Sequence, residues 1–320
     1  MKNIETHNQT DALTTELKNH SERKVGQDLS PLTKQLQLVF KDKIDLIVLY
    51  GSCLRSNNFT EGILDFYVIV DNYHEAYNSP FFALLNKALP PNVFYIESNT
   101  GNETLRAKYA VISMEDFYKA TNKWFHPYVW ARFAQPVRLI YAKNDNLRRG
   151  FYQCLTNSVI RYIKESLPLL HEGEVTSEKI WTNALELSYS AELRPERSGR
   201  CNEIVKQSLN DLSKLIDLAL PAFDCLKPTS KTNTYLFSCN SKQKNNYRHR
   251  WLARRWQGKI LSILRLMKAV LTFHDCVEYA AWKINRHSGI EIEITPALKK
   301  FPILLGFKVL WQLLRRGAIR

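Results

Sequence analysis

Residues 46–70, LIVLYGSCLRSNNFTEGILDFYVIV, contain two apolar, β-branched runs on either side of a polar loop. The runs at 44–50 and 63–70 have the length and composition of buried strands. Working outward, residues 92–98 and 107–112 have the same character and predict two more strands. Helical spacing separates these runs, so the first half of the chain is predicted to be an α/β (α+β) domain with a mixed sheet.

From about residue 150 the pattern becomes mainly helical, which predicts a helical domain behind the sheet. A stretch rich in Ser, Asn, Lys and Thr then interrupts it. The expected organisation is a polar tail (1–27), an α/β domain (28–148), a helical domain (149–224), a linker or lid (225–247) and a basic helical region (248–320).

Charge is distributed unevenly along the chain. The net charge is +14, but residues 1–200 carry 24 basic and 23 acidic side chains, whereas residues 201–320 carry 21 and 8. Residues 225–274 contain eleven Lys or Arg and no carboxylate. Such a local excess indicates a polyanionic partner, either an anionic membrane or nucleic acid, although a core helix with a charged exterior is a third interpretation.

The segments at 248–273 and 301–320 favour the membrane. The first is an amphipathic pattern, and the second, FPILLGFKVLWQLLRRGAIR, is apolar with a basic end. We therefore expect a docking region on an anionic membrane surface and no nucleic acid. The pattern sets Trp251, Leu252, Trp256, Ile260, Leu264, Met267 and Leu271 against Arg254, Arg255, Lys259, Arg265 and Lys268.

Composition excludes several classes of protein. No run approaches the roughly 18 apolar residues that a membrane-spanning helix needs. The six cysteines form no CxxC pair and no zinc-ligand spacing, and the N-terminus lacks the apolar core of a signal peptide. We expect a cytoplasmic, bacterial protein that is peripheral on the inner membrane.

The motif that carries chemistry is the Gly-Ser after the first strand together with Asp65 on the second. Gly51 allows close approach of the backbone to a triphosphate, Ser52 offers a hydroxyl and an N–H, and a carboxylate on the adjacent strand can hold Mg²⁺. This arrangement suits nucleotidyl transfer. Nucleotidyltransferases of the DNA polymerase β type usually carry a second acid two residues later, where this chain has Tyr67. A second carboxylate must then come from elsewhere, and the candidates are Asp71, Glu97 and Glu192.

Four collinear segments make a family resemblance specific. The chain resembles the mitochondrial phosphatidate cytidylyltransferase family, the peripheral CDP-diacylglycerol synthase, and its bacterial relatives, which share YGS followed by a strand reading LDF without the second acid. The other matching segments are KYAVIS (108–113), ARFAQPVRLIY (131–141) and LSYSAELR (187–194), where Ala191 and Glu192 replace the family's Gly and Asp.

The resemblance implies transfer of CMP from CTP to phosphatidate, giving CDP-diacylglycerol and pyrophosphate, with Mg²⁺ as cofactor. Two alternatives stay open: a nucleotidyltransferase for another acceptor (tRNA, protein or small molecule), and a catalytically dead membrane-associated scaffold. The implied roles are catalytic for Asp65, Lys108 and Arg132, substrate-binding for Gly51, Ser52, Ser190, Glu192, Arg194 and Arg286, and metal-binding for Asp65 and Glu192.

Overall fold

The computed structural model of the chain describes residues 2–59, 62–100, 103–193, 199–272, 294–295 and 298. The strands are β1 Ile44–Tyr50, β2 Ile63–Val70, β3 Asn92–Thr100, β4 Glu103–Ser113, β5 Arg138–Ala142, β6 Gly173–Thr176, β7 Leu226–Pro228 and β8 Thr234–Phe237. The helices are α1 Lys2–Ser21, α2 Ser30–Phe40, α3 Ser52–Ser56, α4 Tyr73–Ala76, α5 Pro80–Ala88, α6 Met114–Asn122, α7 Trp130–Phe133, α8 Asp145–Ser166, α9 Ser177–Ser190, α10 Arg200–Gln207, α11 Leu209–Ala219 and α12 Ser241–Thr272.

The main sheet has five strands in the order β3-β4-β2-β1-β5. β2 and β4 are parallel, and the other neighbours are antiparallel, which confirms the predicted mixed sheet. The two strands predicted at 44–50 and 63–70 have those bounds in the structure. In the pairing register Tyr50 on β1 lies opposite Asp65 on β2, so the two halves of the Gly-Ser and Asp motif meet at one end of the strand pair.

Both faces of this sheet are covered, which explains why its central strands are apolar throughout. On one face Leu49 and Phe66 belong to a cluster with Leu36 of α2. On the other, Val48 and Tyr67 belong to a larger cluster that continues into helices α6 to α11. The candidate site lies on this second face.

Helix α1 occupies the N-terminal segment, where a polar tail was expected. Its Leu13 and Leu17 are buried and lie one helical turn apart, so they share a face. The helix packs against α8 and α11 with that face. Two leucines in a polar sequence give a weak periodic signal, and for that reason the pattern indicated a polar tail with at most a frayed helix.

The segment expected to be a linker or lid, 225–247, forms regular structure. β7 and β8 pair with β6 in a second, antiparallel sheet of order β6-β8-β7, and α12 already begins at Ser241. Tyr235 of β8 is buried and donates a hydrogen bond to Asp217 of α11 at 2.6 Å. Strands of three and four residues are too short to show an alternating pattern among polar neighbours.

Helix α12 is amphipathic, as predicted. In contrast to an ordinary surface helix, its inward face contains basic residues and its outward face contains most of its apolar residues. The basic Arg254 and Lys268 are buried, whereas Trp256 is 67% exposed. Trp251 is buried, unlike the rest of the predicted apolar set. Within the part of the chain that the structure describes, no helix has the length and apolar character needed to cross a membrane. The exposed apolar stripe comprises Leu252, Trp256, Ile260, Leu264, Met267 and Leu271.

Candidate active site

The turn after β1 brings the backbone of Gly51 against the carboxylate of Asp65. Gly51 has φ +94°, and a Cβ built there would lie 2.4 Å from Asp65 Oδ2. Residues with a side chain rarely adopt this φ, and the space is already filled by the carboxylate. Ser52, which is exposed, follows immediately as the first residue of α3. Glycine at position 51 is therefore what allows the turn and the carboxylate to lie side by side.

Asp65 and Lys108 form an ion pair across the parallel strands β2 and β4. They lie opposite each other in the register, with Lys108 Nζ 2.9 Å from Asp65 Oδ1. The Asp65 side chain is 14% exposed and that of Lys108 27%, so the pair opens toward solvent at the edge of the core. The structure thus brings together two of the three residues predicted to be catalytic.

Tyr67 occupies the position of the missing second acid. It is buried on the same face of β2 as Asp65, and its ring packs on Tyr50 at 5.1 Å and on Phe133 at 5.0 Å. Burial raises the pKa of the Tyr67 phenol well above its usual range, so this group stays neutral. The position provides a neutral hydroxyl at the base of the site rather than a second carboxylate.

Arg132 of α7 connects this sheet to the end of α9. Its Nη1 donates to the carbonyl of Tyr128 at 2.9 Å and to the hydroxyl of Tyr67 at 3.4 Å, and its Nη2 lies 3.6 Å from Glu192 Oε2. Burial opposes the charge on Arg132, but Tyr67 and Glu192 outweigh it and raise its pKa above the usual value. A permanent cation therefore links Glu192 to the site on the sheet.

Helix α12 adds a cation that the sequence analysis assigned to a membrane-docking face. Arg265 lies over the ring of Tyr128 at 3.9 Å, and Arg132 lies over the same ring at 4.3 Å. The sequence signal that could have revealed this approach is Gly258, since a glycine inside a helix often marks close packing. A narrow cleft at this crossing is lined by His126, Pro127, Tyr128, Ala191, Glu192, Gly258, Ser262 and Arg265.

Comparison with known proteins identifies the family. The family model described as "Phosphatidate cytidylyltransferase, mitochondrial" matches residues 32–254, which is more than half of the chain. The chain belongs to this family. The match spans α2 to the first half of α12 and includes Gly51, Asp65, Lys108 and Glu192.

Two further comparisons add little to the cytidylyltransferase assignment. A nucleotidyltransferase-like protein from Exiguobacterium sibiricum, known from a crystal structure, is 12% identical over 90% of this chain and 91% of that chain, with a TM-score of 0.25. A search of curated proteins finds no match.

Of the other residues predicted for the cytidylyltransferase site, Ser190 connects helices. Its hydroxyl donates to the carbonyl of Leu187 at 2.8 Å and accepts a hydrogen bond from Arg255 Nε at 3.0 Å, which ties the end of α9 to α12. Arg194 and Arg286 lie outside the described residues.

Two of the three candidates for a second metal ligand are poorly placed. Asp71 follows the far end of β2, six residues from Asp65, a separation of about 20 Å along a strand. Glu97 lies on β3, two strands from β2, where Arg106 Nε is 3.3 Å from its carboxylate. Glu192 is held by Arg132. Among the described residues no group of three or more His, Cys, Asp or Glu could hold a metal ion.

The site nevertheless fits a cation that takes most of its ligands from substrate. Mg²⁺ is commonly bound by one or two carboxylates, with phosphate oxygens and water completing its shell. Asp65 offers one such carboxylate: its Oδ1 pairs with Lys108, and its Oδ2 lies beside the backbone of the Gly51 turn. Asp65 is therefore the residue that would hold Mg²⁺.

Proposed function

We propose that this protein is a Mg²⁺-dependent phosphatidate cytidylyltransferase that works at an anionic membrane surface. The observation that carries the proposal is the family match, because it includes the turn, the ion pair and the buried arginine that the structure groups together. In the reaction a phosphate oxygen of phosphatidate attacks the α-phosphorus of CTP. A new P–O bond forms, the bond between the α- and β-phosphates breaks, and pyrophosphate leaves with the electron pair.

Charge neutralisation and positioning are what the residues of this site can supply. The phosphate of phosphatidate is already an anion, so its attack needs little help from a general base. The Gly51-Ser52 turn lets the backbone approach the nucleotide phosphates, and Lys108 and Arg132 provide fixed positive charge beside them. Mg²⁺, when bound, would offset negative charge on the phosphate oxygens next to Asp65.

The reaction is tested by pyrophosphate release from purified protein. The assay uses each of the four NTPs with Mg²⁺ and with or without phosphatidate in mixed micelles. We expect release that requires both CTP and phosphatidate and that falls about 100-fold or more in Asp65→Asn, because one metal ligand is lost.

The matched control for this assay is Asp71→Asn on the far end of the same strand, which should retain activity. Release without lipid would indicate another acceptor. A folded wild-type protein that releases no pyrophosphate with any nucleotide would indicate a catalytically dead scaffold.

The exposed apolar stripe of α12, from Leu252 to Leu271, supports the membrane part of the proposal. Apolar side chains at this spacing cover one face over five turns, and the basic Arg255 and Lys259 lie beside them. An apolar face flanked by cations is the surface that an anionic bilayer binds. Location on the cytoplasmic membrane of a bacterium stays a prediction from the sequence.

Co-sedimentation with vesicles tests this docking face. Vesicles of phosphatidylcholine with added phosphatidylglycerol should bind the protein, and phosphatidylcholine alone should bind it more weakly. Ile260→Gln should weaken binding about tenfold, since one buried aliphatic side chain contributes about 1.5–3 kcal/mol. Leu38→Gln is the matched control, because Leu38 is 79% exposed but lies on α2. Equal effects of the two substitutions would refute the proposal that α12 is the membrane-docking surface.

A further inference from the structure

We propose that Arg265 of α12, together with Arg132, binds the phosphate group of the lipid acceptor. This inference rests on the proposed function and deepens it, because it assigns the acceptor's phosphate to a position separate from the turn at Gly51. The site is the cleft between α12, the end of α9 and the loop before α7, whose volume of about 10 Å³ is that of a single water and which must widen to admit a phosphate.

The first observation is that two like charges are held close together in a mostly buried place. The guanidinium groups of Arg132 and Arg265 both lie over the ring of Tyr128, at 4.3 and 3.9 Å from its centroid. Burial lowers the pKa of Arg265, and repulsion from Arg132 acts in the same direction. Among the described residues that line this cleft, Glu192 is the one carboxylate. Arg132 does not line the cleft itself but contacts Tyr128 beside it, so two arginines stand against this one carboxylate, and an anion would relieve the repulsion between them.

The second observation concerns the hydrogen bonds of Arg265. Its Nε and Nη2 both approach the carbonyl of Pro90 at 3.4 Å, which is long for a hydrogen bond. Lys268, one turn further on, donates to the carbonyls of Leu89 and Pro91, the latter at 2.8 Å. Lys268 therefore binds the turn at residues 89–91 more strongly than Arg265 does. The guanidinium of Arg265 can exchange its weak hydrogen bonds for bonds to a phosphate.

The third observation is the position of the cleft relative to the apolar stripe. Leu264 and Met267 of the stripe are exposed, and Arg265 lies between them in sequence but faces inward. A lipid whose acyl chains lie against the outer face of α12 would have its phosphate near this edge of the helix. The hydroxyl of Ser262, one turn before Arg265, lines the same cleft and can donate to a phosphate oxygen.

The nucleotide is a less suitable source of the phosphate. Its phosphates belong beside Asp65 and Lys108, where the Gly51 turn permits close backbone approach. Arg265 belongs to α12, and it meets Arg132 at the ring of Tyr128, which both guanidinium groups contact. Arg132 can therefore contact both substrates, and Arg265 is assigned to the acceptor alone.

The test measures binding of a soluble acceptor without turnover. Isothermal titration uses dihexanoyl phosphatidate below its micellar concentration, with CTP and with dihexanoylglycerol as separate ligands. Arg265→Gln keeps a donor for Pro90 but removes the charge, and Arg265→Lys keeps the charge. We expect Arg265→Gln to weaken phosphatidate binding about tenfold or more, with CTP binding within twofold of wild type. Arg265→Lys should lie between the two.

The matched control is Arg149→Ala. Arg149 is exposed on α8, near the end of β5 that pairs with the start of β1, so it lies at the opposite end of the sheet from Gly51. It should bind all three ligands as wild type does. Far-ultraviolet circular dichroism and thermal unfolding confirm that each variant is folded.

Three results would overturn the proposal: wild-type protein that does not bind dihexanoyl phosphatidate, a loss in Arg265→Gln that equals the loss in Arg149→Ala, or a loss that falls on CTP. Binding and turnover separate this inference from the proposed function. Pyrophosphate release with unchanged phosphatidate binding in Arg265→Gln keeps the function and refutes the site. Charge-dependent phosphatidate binding without any release keeps the site and refutes the function.

Discussion

At the scale of single residues, the site depends on Gly51, a position that cannot accommodate a side chain. Gly51 combines a positive φ with a distance of 2.4 Å from its would-be Cβ to Asp65 Oδ2. Either feature alone disfavours a side chain, and together they couple the shape of the turn to the position of the carboxylate. In the proposed reaction, the same residue would determine how closely a nucleotide phosphate approaches Asp65.

We predict that Gly51→Ala lowers kcat about 100-fold, because the added methyl displaces Asp65 and a shift of about 1 Å in a reacting group can cost that much. The control is Gly173→Ala. Gly173 has φ +108° but nothing within 4 Å of the added Cβ, so the substitution introduces backbone strain without a clash. The measurement is steady-state pyrophosphate release by both folded variants. Equal activity of the two would show that the contact with Asp65 is irrelevant.

Lys268 is a residue whose charge should affect stability near neutral pH. It is buried, and burial together with the nearby Arg265 lowers its pKa to about 7. Between that value and the ordinary pKa of about 10.5, the unfolded chain binds the proton and the folded chain does not. Stability from this group is therefore present at high pH and is lost as pH falls toward 7.

The expected result is that the Tm of the wild type rises relative to that of Lys268→Met as the pH is raised from 7 to 9. Differential scanning fluorimetry at constant ionic strength measures both curves. Lys259→Met, at an exposed position on the same helix, serves as the control. Parallel curves for wild type and Lys268→Met would contradict the buried, partly neutral amine.

At the scale of elements, α12 illustrates what a periodic pattern can and cannot predict. The pattern predicted the helix and its two faces, but not which face points inward. Arg254 is buried because Glu165 of α8 accepts its hydrogen bond at 2.8 Å. Lys268 is buried because it donates to the carbonyls of Leu89 and Pro91, which lie beneath this turn of the helix. These partners are 89 to 179 residues away in sequence, so a local window carries no information about them.

Gly258 allows the close crossing of α12 and α9. A Cβ at this position would lie 1.9 Å from the carbonyl oxygen of Ala191, so Gly258→Ala must move backbone against backbone. We predict a lower Tm and a raised KM for phosphatidate in this variant, because the crossing determines how far Arg265 extends into the cleft. Thermal unfolding and steady-state kinetics measure the two effects.

Gly150→Ala is the control for this substitution. Gly150 lies in α8, and its would-be Cβ meets only Met114 Cε, at an ordinary 3.6 Å, among the described residues. Here alanine should stabilise the helix by roughly 0.5–1 kcal/mol. A Gly258→Ala variant that is also stabilised and kinetically normal would mean that α12 does not depend on this contact.

At the scale of the whole molecule, the sequence predicted the sheet that carries the site more completely than the region that covers it. The strands at 44–50 and 63–70 are confirmed because apolar runs of seven and eight residues are strong signals. β5 to β8 were missed because each has five residues or fewer. Asp65, Lys108 and Arg132 were predicted from the motif and the resemblance, whereas Tyr128 and Arg265 were not, since their role arises from packing between distant segments.

Packing also joins the two parts that the sequence divides near residue 148. The largest hydrophobic cluster contains Val48 and Tyr67 from the sheet together with Trp181 of α9 and Leu215 of α11. α8 packs against α1, α6, α7 and α9, so its buried face belongs to both parts at once. Neither part could unfold without exposing apolar surface of the other.

We therefore predict one cooperative thermal transition for the folded core. Differential scanning calorimetry should give a calorimetric enthalpy equal to the van't Hoff enthalpy, as for a single cooperative unit. Leu215→Ala, which creates a cavity at the helical end of the cluster, should lower the Tm of the whole transition rather than split it. Two resolved transitions, with only one shifted by this substitution, would show that the sheet and the helices are separate folding units despite their shared core.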